Sequence, residues 1–265
     1  MSLKRNVLAS YVSQGYVTLI GIVMIPMYLR YMGTEAYGLV GFFAVLQSLF
    51  QLLDMGLTPT MSRESARYLG GATDAEHLVR LIRALEGIFI GVAALGFFAI
   101  SLSSQLISTR WLNVSHLSLT EVANSVVLMG AIVGLRWIGG LYRGAINGFE
   151  RLVWLSGFNV LASTTRFVLV IPYFVYAGTT PTYFFGYQLG VALIELVVLV
   201  VLTYRILPKT AVGISGAWHW KPVSNVVKFS LSVAFTSSAW VFVTQTDKLL
   251  LSKILPLSEY AYFTL

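Results

Sequence analysis

The stretch Arg136-Trp-Ile-Gly-Gly-Leu-Tyr-Arg-Gly-Ala-Ile-Asn-Gly-Phe-Glu-Arg-Leu-Val-Trp154 decides the fold. It closes one long apolar run and opens the next. Read as a helix, Arg136, Gly140, Arg143 and Asn147 recur at i, i+4, i+7 and i+11, so they share a face. That face carries two guanidinium groups and two small or polar residues. The opposite side carries Trp137, Ile138, Leu141 and Ile146. Such a helix suits lipid on one side and a polar, anion-accepting cavity on the other.

The composition agrees. The 265 residues are 57% hydrophobic and 11% charged, with a mean hydropathy of +0.77. A soluble domain carries about 25% charged residues. The chain therefore reads as all-α, a polytopic membrane bundle of helices. A β-barrel would show short alternating segments, whereas these runs are long and continuous. The net charge of +7 would suggest nucleic acid in a soluble protein. Here the basic residues cluster at the ends of apolar runs, so no nucleic-acid partner is expected. There is no cysteine, and His77, His116 and His219 lie far apart in predicted loops. No metal site or cofactor is expected. No phosphate-binding Gly-x-x-x-x-Gly-Lys-Ser/Thr loop, His-Glu-x-x-His or Gly-x-Ser-x-Gly motif occurs, so the chain is not expected to be an enzyme.

A membrane-crossing helix needs about 20 mostly apolar residues. Seven runs qualify: Val7–Leu29, Tyr37–Thr60, Leu85–Ile107, Leu119–Leu141, Leu155–Tyr176, Tyr183–Tyr204 and Val226–Thr246. An eighth begins near Tyr260, and the sequence given ends at Leu265, so it reads as the N-terminal piece of a longer protein. The organisation expected is a first six-helix bundle over 1–205, a linker over 206–225 with Pro208, Gly213, Gly216 and Pro222, and the start of a second bundle over 226–265. With the N-terminus inside, twelve Lys and Arg fall in inner connections and four in outer ones, the asymmetry of a cytoplasmic N-terminus. Trp111, Trp137, Trp154, Trp218 and Trp220 fall near span ends, as interfacial anchors would. A faint repeat at a shift of 224 residues pairs Lys4 with Lys228, and Thr34-Glu35 with Ser258-Glu259.

Charges inside spans are costly and mark cavities or partners. Gln47, Gln51 and Asp54 recur at i, i+4 and i+7 in the second run. They read either as glue between helices or as a polar lumen with a titrating Asp54. Arg166 and Glu195 each lie about 18–20 Å from the short turn 177–182, at 1.5 Å per residue. They read either as a buried ion pair or as an anion ligand and a proton or cation site. Arg136 and Arg143 read either as arginines near the inner interface, where the positive-inside rule expects them, or as ligands of an anionic substrate, because the guanidinium fork binds phosphate oxygens in a bidentate way.

Four stretches together resemble the Wzx-type flippases of lipid-linked oligosaccharides, within the multidrug/oligosaccharidyl-lipid/polysaccharide exporter superfamily. They are Pro26-Met-Tyr-Leu-Arg-Tyr-Met-Gly-Thr-Glu-Ala-Tyr-Gly38, Leu53-Asp-Met-Gly-Leu-Thr-Pro-Thr-Met-Ser-Arg-Glu64, Gly140-Leu-Tyr-Arg-Gly-Ala-Ile-Asn-Gly-Phe-Glu-Arg151 and Thr246-Asp-Lys-Leu-Leu-Leu-Ser252. The resemblance implies two helical bundles around a cavity that opens to alternate sides of the bacterial inner membrane. It implies an undecaprenyl-pyrophosphate oligosaccharide as substrate, ion coupling, and a polysaccharide polymerase and chain-length regulator as partners. On this reading Arg136, Arg143 and Arg166 bind substrate, Asp54 and Glu195 couple ions, and Gln47, Gln51 and Asn147 line the lumen. A multidrug cation exporter of the same superfamily is the alternative. A membrane-embedded glycan polymerase or glycosyltransferase is a more distant one.

Overall fold

The computed structural model describes residues 3–54, 56–208 and 227–264, apart from the side chains of 3, 227–234 and 237. The described residues are helical throughout: α1 (Leu3–Met32), α2 (Thr34–Leu52), α3 (Leu57–Leu69), α4 (Ala75–Leu106, prolonged by a π-turn at Ile107–Trp111), α5 (Leu119–Gly148), α6 (Leu152–Phe167), α7 (Val170–Ala177), α8 (Pro181–Ile206), α9 (Val227–Ile254) and α10 (Leu257–Thr264). Six helical stretches among the described residues are long and apolar enough to cross a membrane: Lys4–Met32, Thr34–Leu52, Ala75–Trp111, Leu119–Gly148, Leu152–Ala177 and Pro181–Ile206. The protein is a polytopic membrane helical bundle. Residues 227–246 of the seventh expected run lie in α9, which continues to Ile254. The expected linker falls almost wholly outside the described residues, as do Trp218, His219 and Trp220.

Local chemistry sets the helix ends. Ser118 caps α5, its hydroxyl accepting from the Glu121 N–H at 3.2 Å. Pro181 sits in the first turn of α8, where its missing N–H costs nothing. Gly33, at φ +81°, makes the sharp turn between α1 and α2.

The structure departs from the sequence reading in five places. The second run does not continue to Thr60. It stops at Leu52, turns through Gly56 at φ +72°, and restarts as α3. Asp54 therefore lies in a turn and not on the helical face of Gln47 and Gln51. Its carboxylate accepts from the Thr58 hydroxyl at 2.6 Å and the Thr58 N–H at 3.3 Å, holding the start of α3. The connection expected over Met61–Ala84 is mostly helix, made of α3 and the first turns of α4, and His77 lies in α4 instead of a loop. Trp137 is not an interfacial anchor. It is 8% exposed and stacks on Phe89 of α4 with ring centroids 4.2 Å apart. Leu141 and Ile146 are likewise fully buried, so the side of α5 assigned to lipid faces other helices.

The fifth run is broken into α6 and α7 at Val168–Leu169. Pro172 is the cause. It cannot donate to the Val168 carbonyl, and its ring crowds that oxygen. The carbonyls of three successive residues at the break each accept a side-chain bond: Thr165 from Tyr187 (2.7 Å), Arg166 from Gln188 (3.0 Å) and Phe167 from Tyr28 (2.9 Å). Broken helices are tolerated at membrane depth when backbone groups find such partners. By contrast α1 runs unbroken through Pro26.

α5 is the central helix. It packs on α4 antiparallel, on α8 and on α3, while α6 packs mainly on α1. One pair of the repeat reappears in the helix starts: Leu257 stands 223 residues after Thr34. α10 then packs on α2, its counterpart. A Cβ on Gly38 would lie 2.2 Å from the Leu257 carbonyl oxygen, so only glycine allows this approach. The segment between α4 and α5 ties the two copies together. Its Asn113 carbonyl accepts from the Leu257 N–H at 3.0 Å, and Trp111 Nε1 donates to Ser252 at 3.1 Å. The Glu35 carboxylate accepts from the N–H groups of Ser115 (2.5 Å) and His116 (3.0 Å). Glu35→Ala leaves two N–H groups without that acceptor and is expected to cost about 2 kcal/mol. Thermal unfolding in detergent measures it, and a loss below about 0.5 kcal/mol would show that the carboxylate does not fasten the loop.

Candidate functional site

Arg136 and Arg143 on α5, Arg166 on the last turn of α6 and Glu195 on α8 line one cavity of about 300 Å³. Ser13 and Gln14 of α1, Gln47 of α2 and Asn159 of α6 complete its polar wall. Arg166 meets Glu195 in a bidentate pair: Nε donates to Oε1 at 2.5 Å and Nη2 to Oε2. The ion pair that the sequence left as one of two readings is present. The same carboxylate lies 3.8 Å from Arg143 Nη2. Arg143 also donates to Asn159, and its guanidinium carbon stands 5.4 Å from the centroid of the Phe158 ring.

Arg136 is held without a carboxylate. It donates to Gln188 at 2.9 Å and Gln47 at 3.4 Å, and it lies over the Phe43 ring. Its Nε is buried without a hydrogen-bond partner. Glu195 is the one acidic residue among the described residues lining this cavity. Three cations face one anion, leaving two positive charges in excess. In surroundings of low dielectric, such an excess favours an anion strongly.

Two further cavities share these walls. One, of about 600 Å³, lies between α2, α5 and α9 and is lined by Gln47, Gln51, Asp54, Thr58, Arg136, Gly140 and residues Thr236 and Ser238. The other, of about 580 Å³, is lined by Thr58, Ser62, Arg63, Arg143 and Asn147. Asn147 donates to the Ser62 hydroxyl at 3.4 Å. Gln47 and Arg136 border the first two cavities, Arg143 the first and third, and Thr58 the second and third. The polar face of α5 thus borders three adjoining spaces. Asp54 lines only the second of them and stands apart from the Arg166–Glu195 pair.

Three features escaped the sequence reading. Gln188 accepts from Arg136 and donates to the Arg166 carbonyl, so one amide fastens both arginines. Its spacing of seven from Glu195 on one helix was the available signal. Gly140, Gly144 and Gly148 form a small-x-x-x-small series against α3. Glu86 accepts from the hydroxyls of Tyr142 (2.9 Å) and Tyr204 (2.8 Å), outside the arginine cavity. Among the described residues no cluster of His, Cys, Asp or Glu could hold a metal ion.

The profile of the family described as polysaccharide biosynthesis protein matches residues 3–265. The chain belongs to that family. No curated protein and no solved structure matches the chain. Membership of the polysaccharide biosynthesis protein family gives the bundle a role in polysaccharide synthesis or export and gives its cavities a context.

Proposed function

We propose that the protein is a flippase that moves an undecaprenyl-pyrophosphate-linked oligosaccharide from the cytoplasmic to the periplasmic leaflet of the bacterial inner membrane. The glycan would serve surface polysaccharide such as O-antigen, capsule or exopolysaccharide. The observation that carries this reading is the cavity in which Arg136, Arg143 and Arg166 face the single carboxylate of Glu195. Two uncompensated guanidinium charges suit a pyrophosphate, whose oxygens match the planar fork of arginine.

The pyrophosphate competes with Glu195 for Arg166 and Arg143. Once displaced, the carboxylate takes up a proton or another cation, and this couples passage of the head group to an ion gradient. Asp54 is a second candidate for that coupling. Its grip on Thr58 joins its charge state to the position of α3. Gln47, Gln51 and Asn147 offer amide groups to sugar hydroxyls. The basic residues Arg63, Arg67, Arg80, Arg151 and Arg205 lie toward the end of the bundle bearing the α5–α6 turn, which supports a cytoplasmic N-terminus. On this reading the protein carries its substrate unchanged, as a transporter and not an enzyme, and works beside a polymerase and a chain-length regulator.

A multidrug exporter for cations would need an acidic, aromatic lumen, and the excess of arginine opposes that alternative. Arg136→Gln, Arg143→Gln and Arg166→Gln in the full-length chain are each expected to lower surface polysaccharide at least tenfold in a complementation assay. Unchanged polysaccharide at equal expression removes that arginine from the site. Loss of resistance to cationic drugs in its place would favour the exporter.

A further inference from the structure

We propose, resting on the flippase reading above, that the groove between α6 and α8 holds the phosphate-proximal isoprene units of the substrate's polyprenyl tail. α6 packs mainly on α1 and α8 mainly on α5, which leaves a space of about 500 Å³ between them. Val153, Trp154, Phe158 and Leu161 line one side, and Ile194 and Val198 the other. Leu161 and Ile194 are 69% and 66% exposed, so the groove opens outward from the bundle. Polar groups are nearly absent from its wall, with Glu195 and Thr165 the exceptions.

Glu195 connects this groove to the arginine cavity. It lines both, as does Ala162. A second connection runs through aromatic rings. Trp154 stacks on Phe158 with centroids 5.2 Å apart and planes at 7°, and Arg143 lies over the other neighbour of that stack, the Phe158 ring. A ligand that uses both spaces is apolar along one stretch and anionic at one end. It meets Arg143 and Arg166 where the apolar stretch stops. The groove is bounded by two helices. A polyprenyl pyrophosphate bears a single chain directly on its phosphate, whereas a glycerophospholipid brings two. The tail gains little hydrophobic free energy on leaving the bilayer, because lipid is as apolar as the groove. What the groove supplies is close packing against a branched chain, and placement of the head group beside the arginines.

Two substitutions fill the groove from opposite walls. A Cβ on Gly157 meets nothing within 4 Å, so Gly157→Leu enters open space. Ile194→Trp extends an exposed side chain into the same space. Binding to the purified full chain is measured with undecaprenyl pyrophosphate, inorganic pyrophosphate and phosphatidylglycerol, alongside Arg166→Gln. Both groove variants are expected to bind undecaprenyl pyrophosphate roughly fivefold more weakly and inorganic pyrophosphate as before. Arg166→Gln is expected to weaken both. If one groove variant unfolds, the other carries the test. Wild-type affinity for undecaprenyl pyrophosphate in the folded variant overturns the groove while leaving the arginine site intact. Phosphatidylglycerol competing as well as undecaprenyl pyrophosphate also overturns it, because the groove then takes any lipid chain. Absence of pyrophosphate binding, with no effect of Arg166→Gln, removes the arginine reading instead.

Discussion

Glu195→Gln is expected to lower the unfolding free energy by about 3 kcal/mol, the cost of leaving a buried ion without its partner. The side chain of Glu195 is 8% exposed and that of Arg166 20%, so water can compensate only in part. The substitution raises the excess charge of the cavity from two to three. Adding Arg166→Gln restores it to two, and the double variant is expected to recover most of the loss. Strong non-additivity of this kind marks residues in direct contact. Melting of the two single variants and the double variant in detergent checks it. Simple addition of the two single losses would mean that the pair contributes nothing as a pair. Pyrophosphate at millimolar concentration should raise the melting temperature of Glu195→Gln more than that of the wild type, because the anion replaces the missing carboxylate.

The second large effect is expected at the contact of α3 with α5. A Cβ on Gly148 would stand 2.2 Å from the Ser62 carbonyl oxygen and 2.6 Å from the Ser65 Cβ. Backbone cannot yield as a flexible side-chain tip does, so the two helices must part. Gly148→Ala is expected to destabilise the protein by about 1–3 kcal/mol, despite the better helix propensity of alanine. Gly139→Ala is the comparison. Its Cβ would meet Leu199 Cδ1 at 3.4 Å, an ordinary contact, and the change should be neutral or slightly stabilising. Equal melting temperatures for the two variants would show that the α3–α5 approach is not the tight one. Because α3 carries Thr58 and Ser62 into the cavity walls, Gly148→Ala should also reduce transport.

The polar face of α5 was legible in the sequence because helical periodicity alone places Arg136, Arg143 and Asn147 together. The juxtaposition of Arg166 and Glu195 was legible from their equal distances to one short turn. Whether they would pair was not, since that depends on side-chain direction. The identity of the other face of α5 was misread. An apolar stripe looks the same whether lipid or a neighbouring helix covers it, and Trp137 and Leu141 are covered by protein. The break before α7 was marked by Pro172, yet its position in an apolar run hid it. Asp54 was placed on a helix because nothing in hydropathy distinguishes a continuing span from one that turns at Gly56 and resumes. Gln188 was missed for a different reason. An amide in a span carries no charge to draw notice, and its role exists only through two arginines from other helices.

The close approach of α2 and α10 has a mechanical consequence. The bonds from Asn113 to Leu257 and from Trp111 to Ser252 gather at the same rim, where α9 ends. Below that rim, α9 borders a cavity. A helix of 28 residues is about 42 Å long at 1.5 Å per residue. With its fulcrum at the glycine seam, a tilt of roughly 10° swings the distant end through about 7 Å. Were α9 to tilt about this seam, sub-ångström adjustments at Gly38 and Leu257 would become displacements as wide as a sugar ring at the far mouth.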